Sequence, residues 1–359
     1  MRRKGRYIAT AAAATAGVFV LVEGLIQYFE LKDKNLPFWE NLNKERLLKI
    51  GGAAAIVGGI GGWGFYEYQK DKERLLPFCP DHYLKDYLSC LSVENSPELL
   101  EKGKILKEDI KDFLLCSYGD LLVVPPKDFG SIPKRTAIVT SFDFDILLAF
   151  QKKSFGNLKD MYHDVYDVIG NEYSKRGYQI RKQKRSLGLL IEDGEHEIQI
   201  DIVPGREVND FKVDNNLTLY EHPSFFWQQD SYVKTNFNKK RKVTTNKPVE
   251  RKMIMLFKDY KISSGFNLSS TAIQNLVLEA FQKNGNFYSS SLLENFKHSL
   301  DYISYELSYR KKVKDVANSN LNLISKLSTD EKKSIVNLMS DDLEKLEKDS
   351  NYIKEIFEI

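Results

Sequence analysis

The chain reads SFDFDI over residues 141–146, and this stretch decides the fold that the sequence predicts. In an extended strand, successive side chains point to opposite faces of the sheet. Asp143 and Asp145 therefore share one face, and the apolar residues beside them share the other. The pattern predicts a strand over residues 141–150 that buries one face and presents two carboxylates on the other.

A second stretch repeats this alternation. Residues 187–204 predict a hairpin that turns at Asp193-Gly194, and its second arm alternates isoleucines with polar residues, among them Asp201. A third carboxylate can thus join Asp143 and Asp145. A lone Asp-x-Asp pair is usually a solvated strand face, and an exposed polar face beside an unrelated loop stays open as the alternative.

Three carboxylates packed together repel one another, and each raises the pKa of the others unless a hard cation neutralises them. The set Asp143, Asp145 and Asp201 therefore predicts a Mg²⁺ site, with Mn²⁺ as the alternative ion. With two metal ions, one lowers the pKa of an attacking hydroxyl and the other stabilises a pyrophosphate leaving group. The residues therefore favour a metal-dependent phosphoryl or nucleotidyl transfer.

Gly130 and Ser131 lie shortly before the acidic strand. A glycine lets backbone N–H groups approach phosphate oxygens, and the Ser131 hydroxyl adds a further donor. A lone Gly-Ser pair is usually just a turn. Next to the acidic strand, the pair predicts a nucleotide-binding loop.

The rest of the chain predicts an α+β fold. A helix is expected from Ser96-Pro97, with Ser96 as its cap, to about residue 116, and a second over residues 158–176, closed by Gly177. Beyond about residue 247 the pattern is helical to the end, with one interruption near residues 315–323. We therefore predict a catalytic domain over residues 76–246 and a helical domain over residues 247–359.

The amino-terminal residues 1–75 predict a membrane anchor. Two apolar runs, residues 7–29 and 47–66, are each long enough as helices to cross a bilayer core of roughly 30 Å. Basic residues before the first run and after the second favour both ends inside. This predicts a multi-pass cell-membrane protein with a cytoplasmic catalytic domain, against two alternatives: a cleaved signal peptide, or a buried helical hairpin of a soluble protein.

Composition excludes several other classes. The three cysteines are odd in number and lack metal-ligand spacing, which argues for a reducing compartment. The five histidines form no zinc-binding pair. The net charge of +3 arises from 53 basic and 50 acidic residues, so any affinity for nucleic acid must be local.

These motifs resemble those of the cyclic GMP-AMP synthase and oligoadenylate synthase group of polymerase-β-like nucleotidyltransferases, especially the bacterial CD-NTases. Residues 130–145 resemble the family's Gly-Ser, basic-Thr and Asp-x-Asp signature, and residues 200–204 resemble its third-aspartate strand. Residues 251–260 and 268–271 resemble the two helical nucleotide-contacting motifs, and residues 314–323 resemble the late Asp-Pro-Ala-Asn stretch. The resemblance implies a polymerase-β-like domain followed by a helical domain.

The resemblance also implies residue roles. Asp143, Asp145 and Asp201 would bind the metal ions and carry catalysis, with Asp201 assisting deprotonation of the acceptor hydroxyl. Ser131, Lys258 and Ser270 would hold the triphosphate, and Gly130 and Thr271 would complete the set of nucleotide-binding residues.

Two positions depart from the family pattern. Thr271 stands where relatives often place an aromatic residue that stacks on the donor base, and Val316 replaces the proline of the late motif. For Lys258, helical periodicity alone favours a solvent-facing side chain, because Met253 and Tyr260 belong to the expected buried stripe and Lys258 lies off it.

The implied function is an enzyme that joins NTPs into a cyclic or linear oligonucleotide second messenger with release of pyrophosphate, in bacterial antiviral signalling. Its expected partners are NTPs, the lipid bilayer, a nucleic-acid or protein activator and a downstream effector that binds the product. Two alternatives stay open. One is nucleotidyl transfer onto an RNA or DNA end or a protein, and the other is a nucleotide-sensing membrane effector.

Three short basic runs, residues 181–185, 239–242 and 309–314, are the local candidates for binding a nucleic-acid activator or acceptor. We favour solvated faces or contacts with a membrane surface for these runs.

Overall fold

The computed structural model describes residues 78–193, 196–223, 227–283 and 287–358. The predicted membrane spans at residues 7–29 and 47–66 lie outside this part of the chain. Among the described residues, no helix combines the length and apolarity that crossing a membrane requires.

Helices and strands alternate in the first half of the described chain, and helices dominate the second half. The helices are α1 (Pro80–Leu91), α2 (Pro97–Tyr118), α3 (Leu158–Tyr173), α4 (Phe211–Asp214), α5 (Phe237–Lys242), α6 (Pro248–Ser264), α7 (Ser270–Lys283), α8 (Leu292–Tyr309), α9 (Thr329–Lys348) and α10 (Ile353–Ile356). The strands are β1 (Lys127–Phe129), β2 (Phe144–Phe150), β3 (Gln179–Lys182), β4 (Leu187–Asp193), β5 (His196–Glu207), β6 (Asn216–Glu221) and β7 (Ser231–Asn236). Short 3-10 turns lie at Val93–Asn95, Gly119–Leu121, Ser174–Arg176 and Ser350–Tyr352.

The strands form one mixed sheet. Its main path runs β1-β2-β5-β4-β3, and β6 continues from the far part of β5 and pairs with β7. The β2–β5 pair is parallel, whereas the other pairs are antiparallel. The predicted hairpin is confirmed as β4 and β5, although its turn at residues 194–195 lies outside the described residues. The predicted α+β class is confirmed.

The two faces of the sheet are buried differently. Helices α2 and α3 cover one face, where Phe144, Ile146, Ile200 and Ile202 belong to the larger core. The opposite face has a smaller core around Leu147, Ala149, Val203 and Leu219. Because side chains alternate along a strand, residues 143, 145 and 201 fall on the face of the smaller core.

Both helices predicted before the hairpin are present. Helix α2 begins at Pro97 as expected, but Ser96 makes no side-chain capping hydrogen bond, so the predicted cap is wrong. Pro97 is compatible with this start, because the N–H that proline lacks has no partner inside the helix at its first position. Helix α3 continues as a 3-10 turn to Arg176 and closes at Gly177, whose φ of 86° is in the left-handed region.

Strand β2 begins at Phe144, three residues later than predicted. Residues 141–143 therefore lie just before the strand. The helical pattern after residue 247 corresponds to α6 to α10, and the predicted interruption is longer than expected, from residue 310 to residue 328. By contacts, residues 79–359 group into one compact unit. The domain boundary at residue 246 stays a prediction.

Candidate active site

The parallel pairing of β2 with β5 brings the acidic residues together. Asp145 is the register partner of Asp201, and Asp143 lies two residues before Asp145 on the same face. One carboxylate oxygen from each of the three residues lies within 4.8 Å of the other two. Asp201 is buried, with 8% of its surface exposed, so the cluster is not a solvated strand face.

Asp201 is held by three side chains. Its Oδ1 accepts hydrogen bonds from Gln199 Nε2 at 2.9 Å and from Gln183 Nε2 at 3.1 Å, and its Oδ2 accepts one from Ser186 Oγ at 3.4 Å. The Tyr162 hydroxyl donates to the backbone carbonyls of Gln183 and Ser186 and so fixes their turn. Strand alternation placed Gln199 beside Asp201, but no sequence signal indicated Gln183 or Ser186.

The carboxylates interact unfavourably when nothing neutralises them. Burial raises the pKa of Asp145 well above its usual range, and the neighbouring Asp143 and Asp201 raise it further. Burial raises the pKa of Asp201 to about 6, against the lowering effect of the Gln199 hydrogen bond. Burial also raises the pKa of Asp143, although Lys258 lowers it.

This donor set fits a hard divalent cation. Three carboxylates within one ion's reach supply oxygen ligands, which Mg²⁺ and Mn²⁺ prefer over nitrogen or sulfur. A bound cation would also remove the mutual repulsion that raises the pKa of these groups. Asp143, Asp145 and Asp201 are therefore the residues that could hold it.

The loop at Gly130 and Ser131 lies against the acidic cluster. Gly130 has a φ of 85°, and a Cβ atom built on it would lie 1.6 Å from Asp145 Oδ2. The loop turns back at Thr136, whose N–H donates to the Ser131 carbonyl at 3.0 Å. Ser131 Oγ is buried and has no hydrogen-bond partner among the described residues. Its hydroxyl is therefore available to a ligand.

Two lysines face the acidic cluster. Lys258 Nζ donates to the Thr136 carbonyl at 2.7 Å, and Lys134 Nζ donates to Gln274 Oε1 at 2.9 Å. Burial, together with the neighbouring Lys134, lowers the pKa of Lys258 to about 8. Burial likewise lowers the pKa of Lys134, against the opposing effect of Asp145. A polyanionic ligand would therefore stabilise the charged form of both lysines.

The solvent-facing position that periodicity favoured for Lys258 is wrong, since only 9% of this residue is exposed. Helix α6 packs against α1, α7 and α8, and its residues 253–260 are buried without interruption. A helix that is covered on several sides has no single buried stripe, so periodicity cannot place its polar residues.

A cavity of about 610 Å³ joins these groups. Ser131, Lys134, Asp143 and Lys258 line it from the strand and loop side. Ser270 and Thr271, at the start of α7, line it from the helical side, so both residues that the resemblance indicated face the cavity. The preceding Ser269 supplies the helix cap, because its Oγ accepts a hydrogen bond from the Ala272 N–H at 3.2 Å.

The late motif lies beside a smaller cavity of about 150 Å³, which Asp145 also lines. Asp315 Oδ1 accepts hydrogen bonds from the N–H groups of Ala317 and Asn318, and its Oδ2 lies 3.6 Å from Lys240 Nζ. These bonds form the turn without the proline that Val316 replaces. The motif therefore keeps its turn beside the acidic cluster.

Neither a protein-family model nor a curated protein sequence matches this chain. Solved structures do. CdnG of Bradyrhizobium diazoefficiens, a CD-NTase solved in complex with GTP, matches with a TM-score of 0.61 at 11% identity, over 77% of this chain and 95% of that chain. CdnC of E. coli MS115-1, solved in a complex with HORMA-deltaN, matches with a TM-score of 0.57 at 14% identity, over 74% and 90%.

A third structure is the cyclic dinucleotide synthase CdnE of Elizabethkingia meningoseptica, solved with GTP and Apcpp. It matches with a TM-score of 0.55 at 15% identity, over 75% of this chain and 99% of that chain. The described chain has the CD-NTase fold. At these identities the likeness shows the fold, and the activity has to be argued from the site.

Proposed function

We propose that this protein is a metal-dependent nucleotidyltransferase that joins NTPs into a cyclic or linear oligonucleotide second messenger and releases pyrophosphate. One observation carries the proposal: the Asp145–Asp201 register assembles three carboxylates beside a loop whose Ser131 hydroxyl has no partner among the described residues. A cation site next to an anion-binding loop is the arrangement that an NTP–metal complex requires.

Residues from three parts of the chain would bind the triphosphate. Gly130 and Ser131 bind the phosphates through backbone and hydroxyl donors, and Lys258 neutralises the charge that develops on the leaving pyrophosphate. Ser270 and Thr271 hold the triphosphate from the start of α7. We add Lys134 to this set because it lines the same cavity and lies close to Asp145.

Asp143, Asp145 and Asp201 hold the metal ions, Mg²⁺ or Mn²⁺. Bound there, the ions supply charge neutralisation for the transferring phosphate and acidify the acceptor hydroxyl. Asp201 Oδ2 accepts the proton of that hydroxyl, because Oδ1 is engaged by Gln183 and Gln199 at 3.1 and 2.9 Å, whereas Oδ2 receives only the longer Ser186 Oγ hydrogen bond of 3.4 Å. Those two amides orient the carboxylate for this transfer.

The product class is supported by the fold. CdnE is described as a cyclic dinucleotide synthase, and CdnG is solved with GTP. By this likeness we propose a signalling product that a downstream effector binds, in bacterial antiviral defence. CdnC is solved with a HORMA protein, which supports a protein as the activator of this enzyme.

The organisation of the chain belongs to the same proposal. Residues 1–75 would anchor the enzyme through two spans at 7–29 and 47–66, residues 76–246 would be the catalytic domain, and residues 247–359 the helical domain. The catalytic domain would lie at the cytoplasmic face of the cell membrane. Fractionation of cells, followed by carbonate washing of the membranes, tests the anchor, and recovery of the protein in the wash would contradict it.

The activity test uses the full-length protein with Mg²⁺ and each of the four NTPs, alone and together, labelled at the α-phosphate. We expect a small product that resists phosphatase and whose mass identifies the linked nucleotides. The double variant Asp143→Ala with Asp145→Ala should abolish it. The matched control, Asp112→Ala with Asp301→Ala, removes two exposed carboxylates from α2 and α8 and should leave it unchanged.

The same experiment separates the rival functions. Label appearing only on added RNA, DNA or protein indicates transfer onto a macromolecule. A cellular phenotype that survives the Asp143→Ala, Asp145→Ala double variant indicates a membrane effector. Within the basic runs, Arg185 pairs with Glu221 and Lys240 pairs with Asp315.

A further inference from the structure

Two chemically different kinds of side chain line the cavity of about 610 Å³. Ser131, Lys134 and Lys258 suit a polyanion. Leu99, Val139 and Phe142 are apolar, and Leu99 and Phe142 also pack against the larger core. An NTP has two corresponding parts, a polyanionic triphosphate and a base with apolar faces.

Phe142 is the one aromatic side chain among the described residues that line this cavity. It immediately precedes Asp143, which lines the same cavity. Its ring contacts Phe144 at 5.8 Å between centroids and 68° between planes, and the side chain is only partly buried. The contact with Phe144 thus orients the Phe142 ring, which still lines the cavity.

The helical side of the cavity offers no comparable surface. The first turn of α7 contributes Ser270, Thr271 and Gln274, which carry hydroxyl and amide groups. The Gln274 amide oxygen is already engaged by Lys134. None of these three side chains presents a π face on which a base could stack.

We propose that the nucleobase of the bound NTP stacks on Phe142, with Leu99 beside it, while Ser131, Lys134 and Lys258 bind the triphosphate. This inference rests on the proposed function, because it requires that the cavity binds an NTP. The stacking surface would then lie just before strand β2, whereas the residues that line the cavity at the start of α7 have no aromatic ring.

Stacking has a measurable signature. An aromatic platform under a base typically contributes about 1–3 kcal/mol per base by alanine substitution, or roughly 5- to 150-fold in affinity. Because every base has a π face, the contribution is tolerant of base identity. A ligand without a base gains nothing from the platform.

The test measures, by calorimetry on the full-length protein with Mg²⁺, the binding of two ligands. One is an ATP analogue with a methylene bridge between the α- and β-phosphorus atoms, which cannot transfer its nucleotide. The other is inorganic tripolyphosphate, which has no base. Comparing the two ligands separates loss of the base contact from general damage to the cavity.

Phe142→Leu keeps an apolar side chain and removes the ring. We expect it to weaken binding of the ATP analogue by about tenfold and to change tripolyphosphate binding by less than about twofold. Phe142→Tyr restores the ring and should bind both ligands as the wild type does. The matched control is Phe155→Leu, because Phe155 also packs edge-on in the same core, against Phe150 at 5.1 Å, yet does not line the cavity.

Three results would overturn the inference. Phe142→Leu could bind the ATP analogue as the wild type does, or it could lose both ligands by the same factor, which would make Phe142 a structural support for Asp143. The wild type could also bind tripolyphosphate as tightly as the ATP analogue, so that the base contributes nothing. In these cases the proposed function stands. Wild-type protein that binds neither ligand would instead remove the proposed function, and this inference with it.

Discussion

Gly130 lies directly against the carboxylate of Asp145. A Cβ atom on Gly130 would be 1.6 Å from Asp145 Oδ2 and 2.4 Å from Asp145 Cγ. The φ of 85° at Gly130 is also a conformation that side-chain-bearing residues rarely adopt. The position therefore requires glycine for two independent reasons, one of backbone conformation and one of contact.

These two reasons can be separated by a pair of alanine variants. Gly130→Ala should lower nucleotidyl transfer by at least about a hundredfold, because the carboxylate of Asp145 must move by more than catalytic geometry tolerates. Gly177→Ala is the matched control, since Gly177 has a φ of 86° and nothing within 4 Å of its added Cβ. It should lose about 1 kcal/mol of stability and keep its activity. Equal activity of the two variants would contradict the assigned contact.

The acidic cluster should make the metal-free protein less stable as pH rises. The pKa of Asp143, Asp145 and Asp201 in the fold lies above its ordinary value, which for Asp201 means about 6. Groups with a raised folded pKa favour the fold when protonated, and this contribution is lost as pH rises from about 4 through the folded values. Mg²⁺ should restore stability in the upper part of this range.

Asp145→Asn isolates that effect. In chelator at about pH 7.5, we expect the variant to unfold at a higher temperature than the wild type and to lose the stabilisation by Mg²⁺. At about pH 4, where the carboxyls are largely protonated, the difference should nearly vanish. Asp112→Asn, an exposed site on α2, is the control. A destabilised Asp145→Asn at neutral pH would count against mutual repulsion in the cluster.

Lys258 should act on the phosphates and not on the base. Replacing it by methionine removes a cation that lines the cavity and donates to the Thr136 carbonyl. We expect affinity for the ATP analogue and for tripolyphosphate to fall together, by about 10- to 150-fold, as for loss of a charged hydrogen bond. Lys261→Met, on the same helix but outside the cavity lining, is the control. A selective loss of the analogue would show that Lys258 contacts the nucleoside instead.

Helix α2 should control the position of Phe144, and through it the acidic residues on either side. A Cβ atom on Gly103 would lie 2.1 Å from Phe144 Cε2. Gly103→Ala should therefore cost about 1–3 kcal/mol through overpacking and lower activity as the strand shifts. Gly170→Ala, in α3 with nothing within 4 Å, should gain up to about 1 kcal/mol from helix propensity. Urea unfolding and transfer assays check both, and a neutral Gly103→Ala would contradict the tight fit.

Local patterns in the sequence predicted the elements that build the site. Strand alternation placed Asp143 and Asp145 on one face, and the hairpin signal located β4 and β5 to within a few residues. The same reasoning did not predict α1, which begins at Pro80. Proline is tolerated at the first helical position, so it starts this helix instead of breaking it.

Other site residues had no local signal at all. Gln183 and Ser186 reach Asp201 because β4 turns back beside β5, and Tyr162 on α3 holds their turn from a distant part of the chain. Strands β6 and β7 and the short strand β3 were likewise unpredicted. Strand β3 pairs with the adjacent β4, and β6 pairs with β5 and β7. Pairing, more than local propensity, decides whether such short segments become strands.

The sequence by itself determined the face of each aspartate, through the alternation of the strand, and it predicted a phosphate-binding loop at Gly130 and Ser131. The tertiary structure decided how these parts meet. Only the parallel register sets Asp145 beside Asp201, and only the packing of α6 on several sides buries Lys258 near them. The physical reason is that alternation and helical period are properties of neighbouring residues, whereas strand register and helix burial depend on contacts between distant ones.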